Sequence, residues 1–175
     1  NFPAPAPGWL LLPLLLVPIG FVCSWNIPFL ADDYFHLWNA QHAGFASLRE
    51  HFIHADSDHF FRPLVYVVYA AEFQLAGLHP AIWHLLSITI HLANVALVFF
   101  ILRALPVAKW PSVAGASLFA VYGGLPESVT WMAAQFDLLA AFFGLAALFL
   151  LLQSNGARSF CFHALSCIAL VFALL

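Results

Sequence analysis

The chain has 175 residues, of which 64% are hydrophobic and only 7% charged, with a formal net charge of -3 and a mean hydropathy of +0.95. A soluble domain carries about 25% charged residues because its surface faces water, so lipid is the solvent for much of this chain. With five Lys and Arg in all, a nucleic-acid partner is excluded as a working hypothesis.

In chain order, the first apolar run extends from Trp9 to about Leu30. It meets the roughly 20 residues that a spanning helix needs and lacks the basic flank of a signal peptide. Its Pro13, Pro18 and Pro28 are tolerated where a bundle re-satisfies the lost backbone bonds. A long loop, 31–81, follows. Its first part carries Asp32, Asp33, Arg49, Glu50, Asp56, Asp58 and Arg62, and six of the nine His lie in or near it: His36, His42, His51, His54, His59 and His79. Leu48 and Phe52, with polar residues between them, predict a short interfacial helix. Residues 64–78 are apolar but short, and Glu72 lies among them. A charge at mid-membrane costs several kcal/mol, which predicts a helix lying along the interface. Further spans are expected at about 82–104, 111–125, 135–153 and 159–175, punctuated by Pro106, Pro111 and Ser154-Asn155-Gly156.

The expected fold class is therefore all-α: a polytopic transmembrane bundle of about five spans with a long outward first loop carrying interfacial helices. Parity places Arg103, Lys109 and Arg158 on one side, and the 31–81 loop and the 124–134 turn on the other. The positive-inside rule makes the basic side cytoplasmic, so the His-rich loop faces a periplasm or lumen. Beginning at Asn1 and ending within an apolar run at Leu175, the chain reads as a fragment. Cys23, Cys161 and Cys167 sit in apolar runs with no CxxC pattern and read as small hydrophobes.

Few residues are left to carry chemistry. Asp32-Asp33 follows directly on a span. Beside low-dielectric protein, one of the pair can serve as a base, or the two can help hold a divalent cation (Mg or Mn), with Asp33 the metal candidate; the plain alternative is a hydrated helix cap. Glu127 and Asp137 bracket the second loop ten residues apart, so a continuous helix would put both on one face; a macrodipole role at a helix start is the alternative. His84, Ser87, His91 and Asn94 form one polar stripe that reads as interhelical hydrogen-bonding, with His84 at its outer end open to substrate contact. His51, His54 and His59 invite zinc, but HxxH without a third ligand of fixed geometry is a weak signal. Arg62, before Pro63, suits a lipid phosphate.

Read together, Asp32-Asp33-Tyr34-Phe35, Phe61-Arg62-Pro63-Leu64, Gly77 to His84, His91-Leu92-Ala93-Asn94, Pro126 to Trp131 and Phe136-Asp137-Leu138-Leu139 follow an order that resembles the C-type superfamily of polytopic membrane glycosyltransferases. The nearest flavour is the protein O-mannosyltransferase-like and tetratricopeptide-linked transferases. The resemblance covers about residues 9–150 and implies that 1–175 is part of such a transmembrane domain. It further implies that Asp32 or Asp33 deprotonates an acceptor hydroxyl, that Arg62 contacts the phosphate of a polyprenyl-phosphate sugar, and that Glu127 and Asp137 line the same cavity. Two departures stand out: Tyr122-Gly123-Gly124 replaces a His-Pro of the relatives, and Gln135 stands where they often carry Arg.

The expected function is transfer of a sugar from a lipid-linked donor to an acceptor hydroxyl on the periplasmic or lumenal face of a bacterial inner membrane or its equivalent. The alternative is a non-catalytic subunit of a larger membrane complex, bound to other membrane subunits and lipids, which the fragment-like length and Gln135 favour; the 19 Phe suit lipid-facing or pigment-facing surfaces but are ordinary in membrane cores. A transporter fits less well, because its charges would lie at midplane and here they gather at one interface.

Overall fold

A computed structural model describes residues 7–55, 61–122, 126–154 and 159–175. Among these the chain is entirely helical. A 3-10 turn, Pro7–Trp9, leads into α1 (Leu11–Gly20), and a second 3-10 stretch, Val22–Asn26, continues it. Then come α2 (Asp33–Gln41), α3 (Phe45–His51), α4 (Pro63–Ala76), α5 (Pro80–Ala104), α6 (Lys109–Ala120), α7 (Pro126–Thr130), α8 (Gln135–Leu152) and α9 (Ser159–Leu174), with a 3-10 turn, Met132–Ala134, just before α8.

Two helical stretches, Pro80–Ala104 and Met132–Leu152, are long and apolar enough to cross a membrane; Leu11–Asn26, Pro63–Ala76 and Ser159–Leu174 are apolar but shorter. Helices do form near Leu48 and over most of 64–78, as α3 and α4. The first apolar run differs from a single helix: Pro18 lies inside α1, where it removes one ladder bond and crowds the preceding turn, and after Phe21 the chain continues as a 3-10 stretch from Val22. The Asn155-Gly156 break, the end of the 111–125 run at Leu125, Gly123-Gly124 and Arg158 lie outside the described residues, as do Asp56, Asp58 and His59.

The central element is α5, which packs against α1, α4, α6 and α8. Its polar stripe explains why. His84 donates its Nε2 proton to the Ile27 carbonyl at 2.9 Å, and His91 donates likewise to the Ala120 carbonyl at 3.1 Å. Asn94 donates to Leu138 O at 3.0 Å, and Ser87 accepts from Gln135 at 3.3 Å. All four are buried. Where neighbouring surfaces are as apolar as lipid, such bonds and close packing hold helices together. Gly115 on α6 shows the packing part: a Cβ there would meet Leu102 Cδ1 at 2.9 Å.

At the loop end, α2 and α4 pack together over a core containing Leu37, Val65, Tyr69, Trp83 and Met132. Gly77, at φ +51°, turns the chain from α4 into α5, and the Trp83 indole closes that turn by donating to Gly77 O at 3.0 Å. Such a φ is cheap for glycine and costly for other residues. At the far end of α5, Lys109 Nζ lies 3.3 Å from the Trp9 ring centre and Trp110 packs edge-on to Trp9 at 4.8 Å.

Candidate functional site

The site begins at a tight reversal. Ala31 has φ +33°, and the Asp33 N–H donates to Leu30 O at 2.7 Å. This turn launches α2 with its two carboxylates facing opposite ways. Asp33 is 2% exposed: Oδ2 accepts the Leu30 N–H and Oδ1 accepts the Ala133 N–H, both at 2.8 Å. Burial pushes its carboxyl above the usual Asp value, against the pull of these two donors. Asp32 is exposed and lines a cavity instead.

That cavity has a volume of about 360 Å³ and is bounded by Asp32, Phe35, His36, Arg62, Glu127, Ser128, Trp131, Ala133, Ala134, Phe136 and Asp137. Three chain segments far apart in sequence thus contribute: the start of α2, the residue before α4, and the second loop through α7 into α8. Arg62 lies over the Phe136 ring, its guanidinium carbon 3.7 Å from the ring centre. Both residues also border a second, mostly apolar groove of about 200 Å³, with Phe61, Leu64, Leu139 and Phe172 among its walls. Arg62 therefore sits where a polar chamber meets an apolar channel, which suits a guanidinium with a charged face and a stacking face.

Glu127 and Asp137 share the cavity, but not through one continuous helix. The chain breaks after α7, passes through extended Trp131 and the 3-10 turn, and restarts at Gln135. Ser128 Oγ bridges the break by donating to Asp137 Oδ2 at 3.2 Å. Asp137 also lies in the first turn of α8, where a negative charge is favoured by the helix dipole.

Comparison of the chain with protein-family models, with curated proteins and with solved structures found no match.

The remaining sequence candidates lie elsewhere. His84 is 3% exposed and spent on Ile27; it does not border the cavity. His51 stacks on Tyr66 with ring centres 3.6 Å apart, while His54 lies 3.7 Å from Glu50, so the HxxH pair faces two different neighbours. Among the described residues no three His, Cys, Asp or Glu stand together to hold a metal. Asp33, the metal candidate, has both oxygens on backbone amides.

Two side chains that anchor the site were not legible as site residues in the sequence, although Glu72 stands out there as a charge among apolar neighbours. Tyr69 donates to the carbonyls of Met132 at 2.9 Å and Ala133 at 3.3 Å. Burial, then the Glu72 and Asp33 charges, keeps its phenol well above its ordinary value, so it remains a donor. Glu72 is 6% exposed and its Oε1 accepts from Gln135 Nε2 at 2.9 Å. The available signal was a carboxylate inside an apolar segment, which demands a partner.

Proposed function

We propose that this chain is the donor-binding part of a C-type membrane glycosyltransferase, with about five spans and its first and second loops facing outward. The observation that carries this reading is the convergence of Asp32, Arg62, Glu127 and Asp137 on one cavity that abuts an apolar groove at Arg62. Asp32 is the base: it takes the proton of an acceptor hydroxyl as that oxygen bonds to the anomeric carbon, while the bond from that carbon to the donor phosphate breaks. Arg62 holds the departing polyprenyl phosphate, a task suited to a fixed fork of donors. Glu127 and Asp137 close the opposite wall around the sugar. Asp33 serves as the strut that fastens the two loops together. A requirement for Mg or Mn is open to test by chelation, and no step here passes through a metal.

The experiment is transfer from a radiolabelled polyprenyl-phosphate sugar by the full parent chain. Asp32→Asn should lower the rate by about 10²–10⁴-fold, as expected for loss of a general base. Arg62→Ala should chiefly raise the donor KM. Activity that survives Asp32→Asn and Asp33→Asn together would reject the reading. The second reading, a non-catalytic subunit of a membrane complex, is favoured by Gln135, which places a neutral, buried side chain, its amide nitrogen held by Glu72 and Ser87, where the family that the sequence resembles often carries Arg. It gains support if the chain binds no lipid-linked sugar and copurifies with other subunits in fixed ratio.

A further inference from the structure

Glu72 and Tyr69, one turn apart on α4, reach the same short stretch of chain. Tyr69 holds the carbonyls of Met132 and Ala133, Asp33 holds the Ala133 N–H from α2, and Glu72 with Ser87 holds the Gln135 amide. Residues 132–135 thus hang from α2, α4 and α5 by side chains. Glu127, Ser128 and Trp131 on one side of this stretch, and Asp137 on the other, belong to the cavity wall.

The node around Gln135 has too many acceptors. Gln135 is 0% exposed, and its Nε2 serves both Glu72 Oε1 and Ser87 Oγ. Glu72 Oε2 and Gln135 Oε1 are buried and have no donor. An ionised Glu72 would carry a full charge here with one donor for two oxygens, a costly state. With a proton it is neutral and gains a donor of its own.

We propose that Glu72 is the positioning residue of the second loop: a protonated carboxyl stays buried against Gln135, whereas an ionised one favours leaving this donor-poor node for water, so that the cavity wall is assembled at acidic to neutral pH and released as the pH rises. Burial, opposed by the Gln135 hydrogen bond, pushes the Glu72 carboxyl up to about 7, which puts the transition in the physiological range. The other titratable or charged groups are Arg62, Tyr66 and Tyr69 on or beside α4 and, on the elements packed against α4, Asp33 and His36 of α2, Arg49, Glu50 and His51 of α3, with His51 stacked on Tyr66, and His84 of α5; Asp137 follows Gln135 on α8. His36, with its ring 5.2 Å from Tyr69, is the rival source of a pH effect. The proposal deepens the transferase reading and rests on it for its catalytic meaning, but its test needs no transfer activity.

Trp131 reports on the segment. Its emission, isolated as the difference between the full chain in nanodiscs and a Trp131→Phe variant, is read with iodide quenching from about pH 4.5 to about pH 8, the window over which the closed and open states differ in bound protons. The wild-type chain should become roughly two-fold more quenchable across that range as the loop opens locally. Glu72→Gln, which mimics the protonated carboxyl, should stay flat at the low-pH level. A flat wild-type profile overturns the proposal, even if the variant fails to fold. So does a Glu72→Gln profile that follows the wild type, since His36 or another group would then be responsible. Loss of transfer activity with the expected quenching intact would instead count against the transferase reading alone.

Discussion

Adjacent carboxylates end up in different environments when a helix starts between them. Asp32 precedes α2 and stays at the cavity surface, whereas Asp33 is the first helical residue and turns inward to two backbone amides. Removing Asp33 therefore strands two N–H groups, each worth about 1–3 kcal/mol when left unsatisfied. Asp33→Ala should lower stability by about 2–4 kcal/mol, whereas Asp32→Ala, at an exposed position, should change it by less than about 0.5 kcal/mol. Thermal unfolding of the purified variants checks this, and equal losses at both positions would contradict the assignment of strut and base. The sequence showed that a DD pair marks the exit of a span. Which of the two faces in could not be read, because it depends on the Ala31 turn and on Ala133, a hundred residues away.

At the level of elements, α4 works as a bracket: Tyr69 and Glu72 hold the second loop, and Pro63 at its first turn fixes where it starts. The pH dependence of stability follows from Glu72. Its pKa is about 7 in the folded chain against an ordinary 4.5, so the native state binds the proton more tightly than the unfolded state. The resulting stabilisation is fully present below about pH 4.5 and is lost as the pH rises through about 7, a total of about 3 kcal/mol. Unfolding midpoints over this range should fall with rising pH in the wild type, and Glu72→Gln should remove that part of the slope. Gln135→Arg is the complementary change. A guanidinium beside Glu72 favours the ionised carboxyl, so its pKa should fall and the downward slope should shrink or vanish; an unchanged profile would show that the two side chains do not meet. Periodicity and apolar length made α4, α5, α8 and α9 legible in the sequence. The break between Glu127 and Asp137 was not legible, because Trp131 and the 3-10 turn are set by the tertiary anchors at Met132, Ala133 and Gln135 rather than by local propensity.

For the whole molecule, the five-span reading proposed above requires the two ends of α5 to face different compartments. The 25 residues of α5 rise about 38 Å at 1.5 Å each, enough to separate the two ends by the thickness of a bilayer core. At one end lie Asp32, Arg62 and the cavity. At the other, Arg103 donates to Val107 O at 3.2 Å and Lys109 rests on Trp9. An amphipathic ring under a cation is the arrangement found where a bundle meets the headgroups. The charge asymmetry was visible in the sequence; the pairing of Lys109 with Trp9 was not, since about a hundred residues separate them. With Cys23, Cys161 and Cys167 replaced by Ala, a single cysteine at the exposed Gly44 should react with a membrane-impermeant maleimide in intact cells or sealed right-side-out vesicles. A cysteine at the exposed Pro106 should react only after the membrane is opened. The reverse pattern would turn the protein over and put the cavity on the cytoplasmic face, where an outward-facing lipid-linked donor could not reach Arg62. Labelling of both sites without permeabilisation would mean that α5 does not span, and the bundle would have to lie on the membrane rather than through it.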